Sequence, residues 1–275
     1  MDGTVQGKHI KYLYRYYRPQ NWLAIARILV QNKLLFSDIS SFNDPFDCTT
    51  NINCENASEE VLMQYCFHLV EKKYKGEGVS RTSEQIKEEA EHWVSEGKHK
   101  KFLEKCSIEI QNSAKGLSQI FKILCLTENP KSIPMWSHYA DKHRGVVFQF
   151  DKSRLLDEHG KDKCFNVDYR KDFPSLKEYV DCVEKDDSLK LCKLFYCTKH
   201  KEWENEREWR IFSKKDVHDI PDGMLTGIIL GCKNEEKDLI IALNSQRERP
   251  ITIYYAEQSK KSFELVITSE NREEL

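Results

Sequence analysis

Hydrophobic and polar positions follow two periods along this chain, and the switches between them predict its elements. Ile10-Lys11-Tyr12-Leu13-Tyr14-Arg15-Tyr16-Tyr17 is rich in strand-forming aromatics. In period two, Arg15 falls with Leu13 and Tyr17, opposite Tyr12, Tyr14 and Tyr16. Pro19 ends the run, and Trp22–Leu29 carries apolar residues three and four apart, a helix with Asn21 as its cap. Lys33–Ser37 predicts a short strand. The polar turn Asp38–Asp47 follows, with Phe42 and Phe46 as anchors and Pro45 holding Asp44 extended. From about 57 to 115 the period becomes helical, with Ser58 capping the first helix and a second starting at Thr82 or Ser83.

Beyond that block, Phe121–Thr127 and Val146–Asp151 read as strands flanking the short helix Pro134–Ala140, and Cys164–Tyr169 as another. Charged helix fills Ser175–Leu194. Trp209–Phe212, Leu225–Cys232, Ile251–Ala256 and Phe263–Ile267 read as strands, Asn234–Ser245 as a helix, and Ser269–Leu275 as a loose end. Seven or eight strands with helices inserted, rather than strictly alternating, predict an α+β fold. Its core is expected to be a mixed or mostly antiparallel sheet, in one domain over 1–275 with a helical insertion at about 57–115.

Composition narrows the classes. A hydrophobic fraction of 39 % supports a sizeable core, and 43 basic against 45 acidic residues leave a net charge of -2, with no global field for nucleic acid. No apolar run approaches bilayer length, and the first residues lack a signal peptide's apolar stretch. Ten cysteines scattered among apolar residues, without Cys-x-x-Cys, predict reduced thiols in a cytoplasmic protein, with no metal expected. Glycine-rich dinucleotide and phosphate loops are missing, as are His-Glu-x-x-His and a glycine-flanked nucleophilic serine.

What remains is Trp203-Glu204-Asn205-Glu206-Arg207-Glu208-Trp209-Arg210. As a strand it places Glu206, Glu208 and Arg210 on one face. Two carboxylates and a guanidinium there form either a wet face held by ion pairs or a working site. In the first case Trp203 and Trp209 pin a strand, Arg210 pairs with Asp44 or Asp47, and Glu206 and Glu208 sit on a solvated edge. Met135 and Tyr139 share a helix face with Trp136 alongside, either plugging the core or forming a stacking wall for a base or nicotinamide ring. His138 is read as a supporting or exposed neighbour of that wall. Asn43, Asp44 and Asp47 form either a rigid turn or a loop shaping a pocket.

Together the Leu-Tyr-Arg-Tyr block at Leu13–Tyr16, Asn43-Asp44-Pro45-Phe46-Asp47, Met135-Trp136-Ser137-His138-Tyr139-Ala140 with Gly145, and Trp203–Arg210 resemble a bacterial family of uncharacterised domains. More distantly, Arg15, Thr127 and Glu208, in that order on three strands, resemble the site of the ADP-ribosyltransferase fold, and Glu206-Arg207-Glu208 looks like its Glu-x-Glu element. Thr127 departs from that pattern in being followed by Glu-Asn rather than another hydroxyl residue. The resemblance implies an NAD-dependent ADP-ribosyltransferase or NAD glycohydrolase, acting in bacterial defence or as a toxin. Glu208 would face the charge developing on the ribose, and Glu206 would orient or deprotonate the acceptor. Arg15 and Thr127 would hold phosphate and ribose, and Trp136 or Tyr139 would stack on nicotinamide. The acceptor is a protein side chain, a nucleic-acid base or water. Two other classes stay open: a nucleotide- or partner-binding sensor without turnover, and a metal-dependent nuclease built from Asp44, Asp47, Glu206 and Glu208 with Lys199 or Arg210.

Overall fold

The structure, a computed structural model, describes residues 10–275 except 43, 49–50, 56, 96–98, 186 and 272–273, and leaves out the side chains at 99–107, 109 and 113. Its strands are β1 Tyr12–Tyr17, β2 Lys33–Leu35, β3 Ser37–Asp38, β4 Lys122–Thr127, β5 Val146–Asp151, β6 Cys164–Asn166, β7 Asp168–Arg170, β8 Thr198–His200, β9 Glu208–Ser213, β10 Val217–Asp219, β11 Leu225–Leu230, β12 Thr252–Gln258 and β13 Leu265–Ser269. The helices are α1 Trp22–Gln31, α2 Glu59–Glu77, α3 Ser83–Ser95, α4 His99–Ile120, α5 Ile133–Tyr139, α6 Lys152–His159, α7 Leu176–Val183, α8 Ser188–Tyr196 and α9 Lys237–Ser245. The fold is α+β. It falls into two compact units: Met1–Asp38 with Phe121–Val167 and Trp203–Leu275, and Ile39–Ile120 with Asp168–Glu202.

The first unit holds a mixed, mostly antiparallel sheet in the order β13-β12-β11-β5-β1-β4-β9-β6, with β3 also on β4. Only the β11–β12 ladder of this sheet is parallel among the described residues. The joint between β1 and β4 is narrow. It is made by the single register pair Tyr14–Thr127, and β3 takes the other end of that β4 edge through Ser37–Ile123. By contrast β1 runs along β5 from Tyr12 to Tyr17, and β4 along β9 from Lys122 to Thr127. Period two then sorts the side chains. Leu13, Leu124, Leu126, Phe148, Ile211 and Ile228 form one core with Ile25, Ile28, Leu155 and Ile240 from α1, α6 and α9. Tyr14, Val147, Ile229 and Ile267 form the opposite core, against Trp136 and Ala140 from α5.

The second unit gathers α2, α3, α4, α7 and α8 with the parallel pair β7–β8. The helical insertion expected at about 57–115 is thus part of a larger body that takes in 168–202. Ser58 accepts from Val61 N as a cap, and Ser175 forms a full capping box with Glu178. Asn21, expected to cap α1, makes no side-chain cap bond. The predicted strand Cys164–Tyr169 is two strands, β6 and β7, assigned to different units. Where the carboxyl end is described it is tied down rather than loose, with Leu275 N donating to Ile267 O and Glu274 pairing with Lys131.

One buried titratable cluster lies in the first unit, between α6 and β10. The His159 ring meets His218 edge-on at 4.9 Å, and Phe36 packs against both. His159 Nε2 is buried with no hydrogen-bond partner. Burial first, then His218 and Lys163, lower its pKa from 6.5 to about 4. The folded state therefore resists a proton that the unfolded chain accepts. The His159 contribution to stability is unchanged above pH 6.5, is lost progressively as pH drops from 6.5 towards about 4, and changes no further below that. Urea unfolding against pH should show this slope in the wild type and a shallower one in His159→Phe; identical slopes would remove His159 as its cause.

Candidate functional site

Glu206 and Glu208 do not share a strand. Arg207 adopts a left-handed backbone (φ 45°), unfavourable for a long side chain, and it separates the 3-10 turn Lys201–Glu206 from β9. The expectation of three charged groups in unbroken alternation is corrected here: alternation begins only at Glu208. The bent segment is tied to the end of β4. Thr127 Oγ1 donates to Glu206 O and accepts from Asn129 N, and Glu128 N donates to Arg207 O at 3.3 Å. Trp209 Nε1 donates to Glu128 at 2.8 Å, while its ring packs with the other sheet face under the Lys152 ammonium.

Glu208 and Arg210 share the face of Thr127 and Tyr14. Arg210 Nε and Nη2 donate to the two Glu208 carboxylate oxygens at 2.8 and 2.9 Å. Arg210 is completely enclosed and Glu208 is 7 % exposed. Two charges leave water here, so the pair persists only through its bidentate geometry and neighbouring dipoles. Cys125 lies opposite Arg210 on β4. Burial and then the Glu208 carboxylate push its thiol well above the ordinary range, with Arg210 pulling the other way. A thiol kept protonated in this way makes a poor nucleophile.

Glu206 is also buried, and its Oε1 accepts from the Tyr139 hydroxyl at 2.8 Å. Tyr139 ends α5, whose N-cap Ser132 accepts from Met135 N, with proline in the first turn. Trp136, on the inner side of this helix, is fully enclosed. Its Nε1 donates to Pro130 O, its edge meets Tyr16, and its face stacks on His143. The stacking-wall expectation for Trp136 gives way to the core plug. His138 is exposed, and its carbonyl accepts from Arg18. Trp203 is partly buried in the 3-10 turn.

After α5 the chain makes a left-handed turn through Asp141, Lys142 and His143 (φ 46°, 57° and 70°). Each such residue is disfavoured by Cβ–carbonyl crowding. The turn is enforced by its neighbours. Lys142 N and His143 N bond Ser137 O and Trp136 O, and Asn234 Nδ2 bonds Arg144 O and Gly145 O. A Cβ on Gly145 would come within 1.9 Å of Tyr17 O, so only glycine fits there.

The remaining expected site residues are dispersed. Thr127 and Glu208 face each other in register, but Arg15 shares parity with Leu13 and Tyr17, on the opposite sheet face. The Arg15 guanidinium donates to Leu35 O at 2.9 Å and Ser37 Oγ at 3.3 Å, at the seam between β1 and β3. In the second unit Asp44 bonds Phe46 N, as the turn chemistry predicts, yet Phe46 is 65 % exposed and pins nothing. Asp47 and Lys199 form a buried pair at 3.3 Å, and Arg210 has its carboxylate on its own strand. Asn43 lies outside the described residues. Asp44 and Asp47 belong to a different unit from Glu206 and Glu208, and among the described residues no group of three or more His, Cys, Asp or Glu is arranged to hold a metal. The described cysteines are free thiols, and no described helix is long and apolar enough to cross a membrane. Sequence reasoning missed Glu128, Asn129 and the left-handed Arg207. Nothing marks arginine for that conformation, whereas an asparagine or glycine would have done so.

A family model described as a protein of unknown function (DUF2971) matches residues 135–211, from the start of α5 into β9. That segment contains Trp136, His138, Tyr139, Trp203, Glu206, Glu208, Trp209 and Arg210, but neither Arg15 nor Thr127. No curated protein and no solved structure matches the chain.

Two expectations follow from this geometry. Glu208→Gln strips the charge from the partner of an enclosed guanidinium and should cost about 3–5 kcal/mol, while the double change Glu208→Leu with Arg210→Met recovers a large part; urea unfolding of the three proteins checks both. Lys142→Gly relieves a left-handed backbone and should raise stability by about 1 kcal/mol, read as a higher melting temperature.

Proposed function

We propose that the chain is a nucleotide-directed glycosyl-transfer protein that cleaves NAD, as an ADP-ribosyltransferase or NAD glycohydrolase. The observation that carries this reading is topological. Thr127 of β4 lies directly opposite Glu208 of the neighbouring strand β9 on one sheet face, while Arg15 of the adjacent β1 turns to the other face. The geometry redistributes the roles. Glu206, held by Tyr139 and anchored through its backbone by Thr127, is the carboxylate suited to meet an acceptor. Glu208, bonded on both oxygens by Arg210 and lying opposite Thr127, acts as a positioning group that fixes this end of the sheet rather than as the charge that meets the ribose. In the reaction the bond from ribose C1′ to nicotinamide nitrogen breaks, nicotinamide leaves with the electron pair, and the acceptor oxygen or nitrogen bonds C1′ while its proton passes to Glu206. Arg15, bonded within its own seam, acts on placement of the strands rather than directly on this step. Bacterial defence or toxin action is the biological setting that accords with such chemistry.

A second reading has its own observation. Both oxygens of Glu208 are occupied by Arg210 and the Trp136 ring is closed off, which suits a nucleotide- or partner-binding module without turnover. The nuclease reading gains no comparable support.

Incubation of the protein with NAD, alone and with cell lysate, separates the two readings through nicotinamide release. The glycosyl-transfer reading expects release by the wild type and at least a hundredfold less, roughly the scale of general-base loss, by folded Glu206→Gln. Binding of NAD without release in either setting favours the sensor, and release unchanged in Glu206→Gln removes that residue from the mechanism.

A further inference from the structure

The histidine pair between α6 and β10 cannot take up a proton in the closed structure without loss. His159, at the end of α6, is enclosed, and its Nε2 has no hydrogen-bond partner. A neutral ring leaves that nitrogen as a bare acceptor. An imidazolium puts a charged N–H there with nothing to receive it, which costs far more. His218 of β10 meets the ring edge-on at 4.9 Å, and its own Nε2 lies 2.8 Å from Ser213 Oγ and 3.3 Å from Lys215 O. The charged groups facing the pair are divided. Lys163, in the 3-10 turn after α6, and Lys215, before β10, oppose a further positive charge, whereas Glu158 and Asp216, both exposed, favour one on His218. Lys33 and Asp219, one on each strand of the β2–β10 ladder, are paired with each other.

Phe36 connects the histidines to the sheet. Its ring lies 4.4 Å from that of His218 and 5.3 Å from that of His159, and its N–H donates to Asp216 O at 2.8 Å. The two residues flanking Phe36 hold Arg15, whose guanidinium donates to Leu35 O and Ser37 Oγ. The β2–β10 ladder is a separate two-stranded sheet made by the register pairs Val217–Leu35, His218–Leu34 and Asp219–Lys33. A ladder this short is marginal by itself and belongs to the parts of a fold that open at lowest cost. Its closure depends on the aromatic packing of Phe36 and the two histidines.

We propose that His159, His218 and Phe36 form a proton-operated latch on the β2–β10 ladder: protonation drives the His159 ring out to water, β10 parts from β2, and Phe36 is released together with the Leu35 and Ser37 contacts of Arg15. The opening is local, and the β5–β11 ladder at the centre of the sheet stays closed. Its consequence falls on the seam beside Thr127. There β1 meets β4 only at Tyr14–Thr127, and β3 takes the other end of the same edge through Ser37–Ile123. The latch places that joint under proton control, and it does not rest on the proposed glycosyl transfer.

Hydrogen exchange of the full chain, corrected for the intrinsic pH dependence of amide exchange, is compared at about pH 7.5 and about pH 5. A ring that titrates at the ordinary 6.5 when open and at about 4 when closed makes the open form about thirtyfold more populated at the lower pH. The latch predicts a loss of protection of that size at 33–37 and 215–220, with protection at 146–151 and 225–230 unchanged, and no acid loss at the first two segments in His159→Phe. If that variant fails to fold, the wild type decides: the His159 Cε1–H resonance should move from neutral to charged over the same pH range as the exchange, and a mismatch overturns the latch. Equal loss of protection in all four segments means that the whole unit unfolds, which also overturns it. So does acid loss that persists in His159→Phe, or protection that does not change with pH.

Discussion

The buried pair of Glu208 and Arg210 constrains the centre of the sheet more than any other interaction. A guanidinium with no solvent exposure stands on β9 between Cys125 of β4 and Phe165 of β6. Alone, either charge would cost several kcal/mol to keep there. Together they require β9 to hold its alternation from Glu208 onward, because a slip of one residue would send both to the opposite, apolar face. The bend at Arg207 and the bonds from Thr127 and Glu128 lie immediately before this point. They end the strand where the charged face begins.

Around that centre the first unit uses two different means of placing polar groups. On the sheet, register does it: Thr127 opposite Glu208, Tyr14 opposite Thr127. Off the sheet, α5 does it through Trp136, whose ring is closed in by Tyr16 on one side and His143 on the other. Trp136 therefore contributes rigidity rather than a binding surface. Tyr139 reaches Glu206 because the helix beneath it is plugged, and the left-handed turn follows from the same anchoring.

Much of this was legible along the chain. Strand-forming aromatics in period two identified β1, and short apolar runs identified β4, β5 and β11, because a strand covered on both faces needs apolar residues without a break. Ser58 announced α2 because its hydroxyl satisfies an N–H that the first helical turn leaves unpaired. The segment from Trp203 to Arg210 stood out because carboxylates and a guanidinium directly before an apolar strand conflict with ordinary burial. Other features left no local mark. The left-handed backbone at Arg207 is held by Glu128, distant in sequence, and that at Asp141–His143 by Trp136 and Ser137 of α5 together with Lys233 from beyond β11. Asp47 and Lys199 are separated by a long stretch of chain, so their pairing has no sequence signature.

The sequence by itself determined the α+β class, the positions of the principal strands and helices, and which stretch carries unusual charge, since each depends on periodicity, capping or composition within a few residues. Only the tertiary structure decided that Arg15 turns to the opposite face from Glu208, that Trp136 is a plug, that Glu206 belongs to a bent segment and Glu208 to a strand, and which cation each carboxylate takes. Those choices depend on strand order, on parity across neighbouring strands and on contacts between distant segments. Local pattern is blind to them because the same side chain satisfies it on either face.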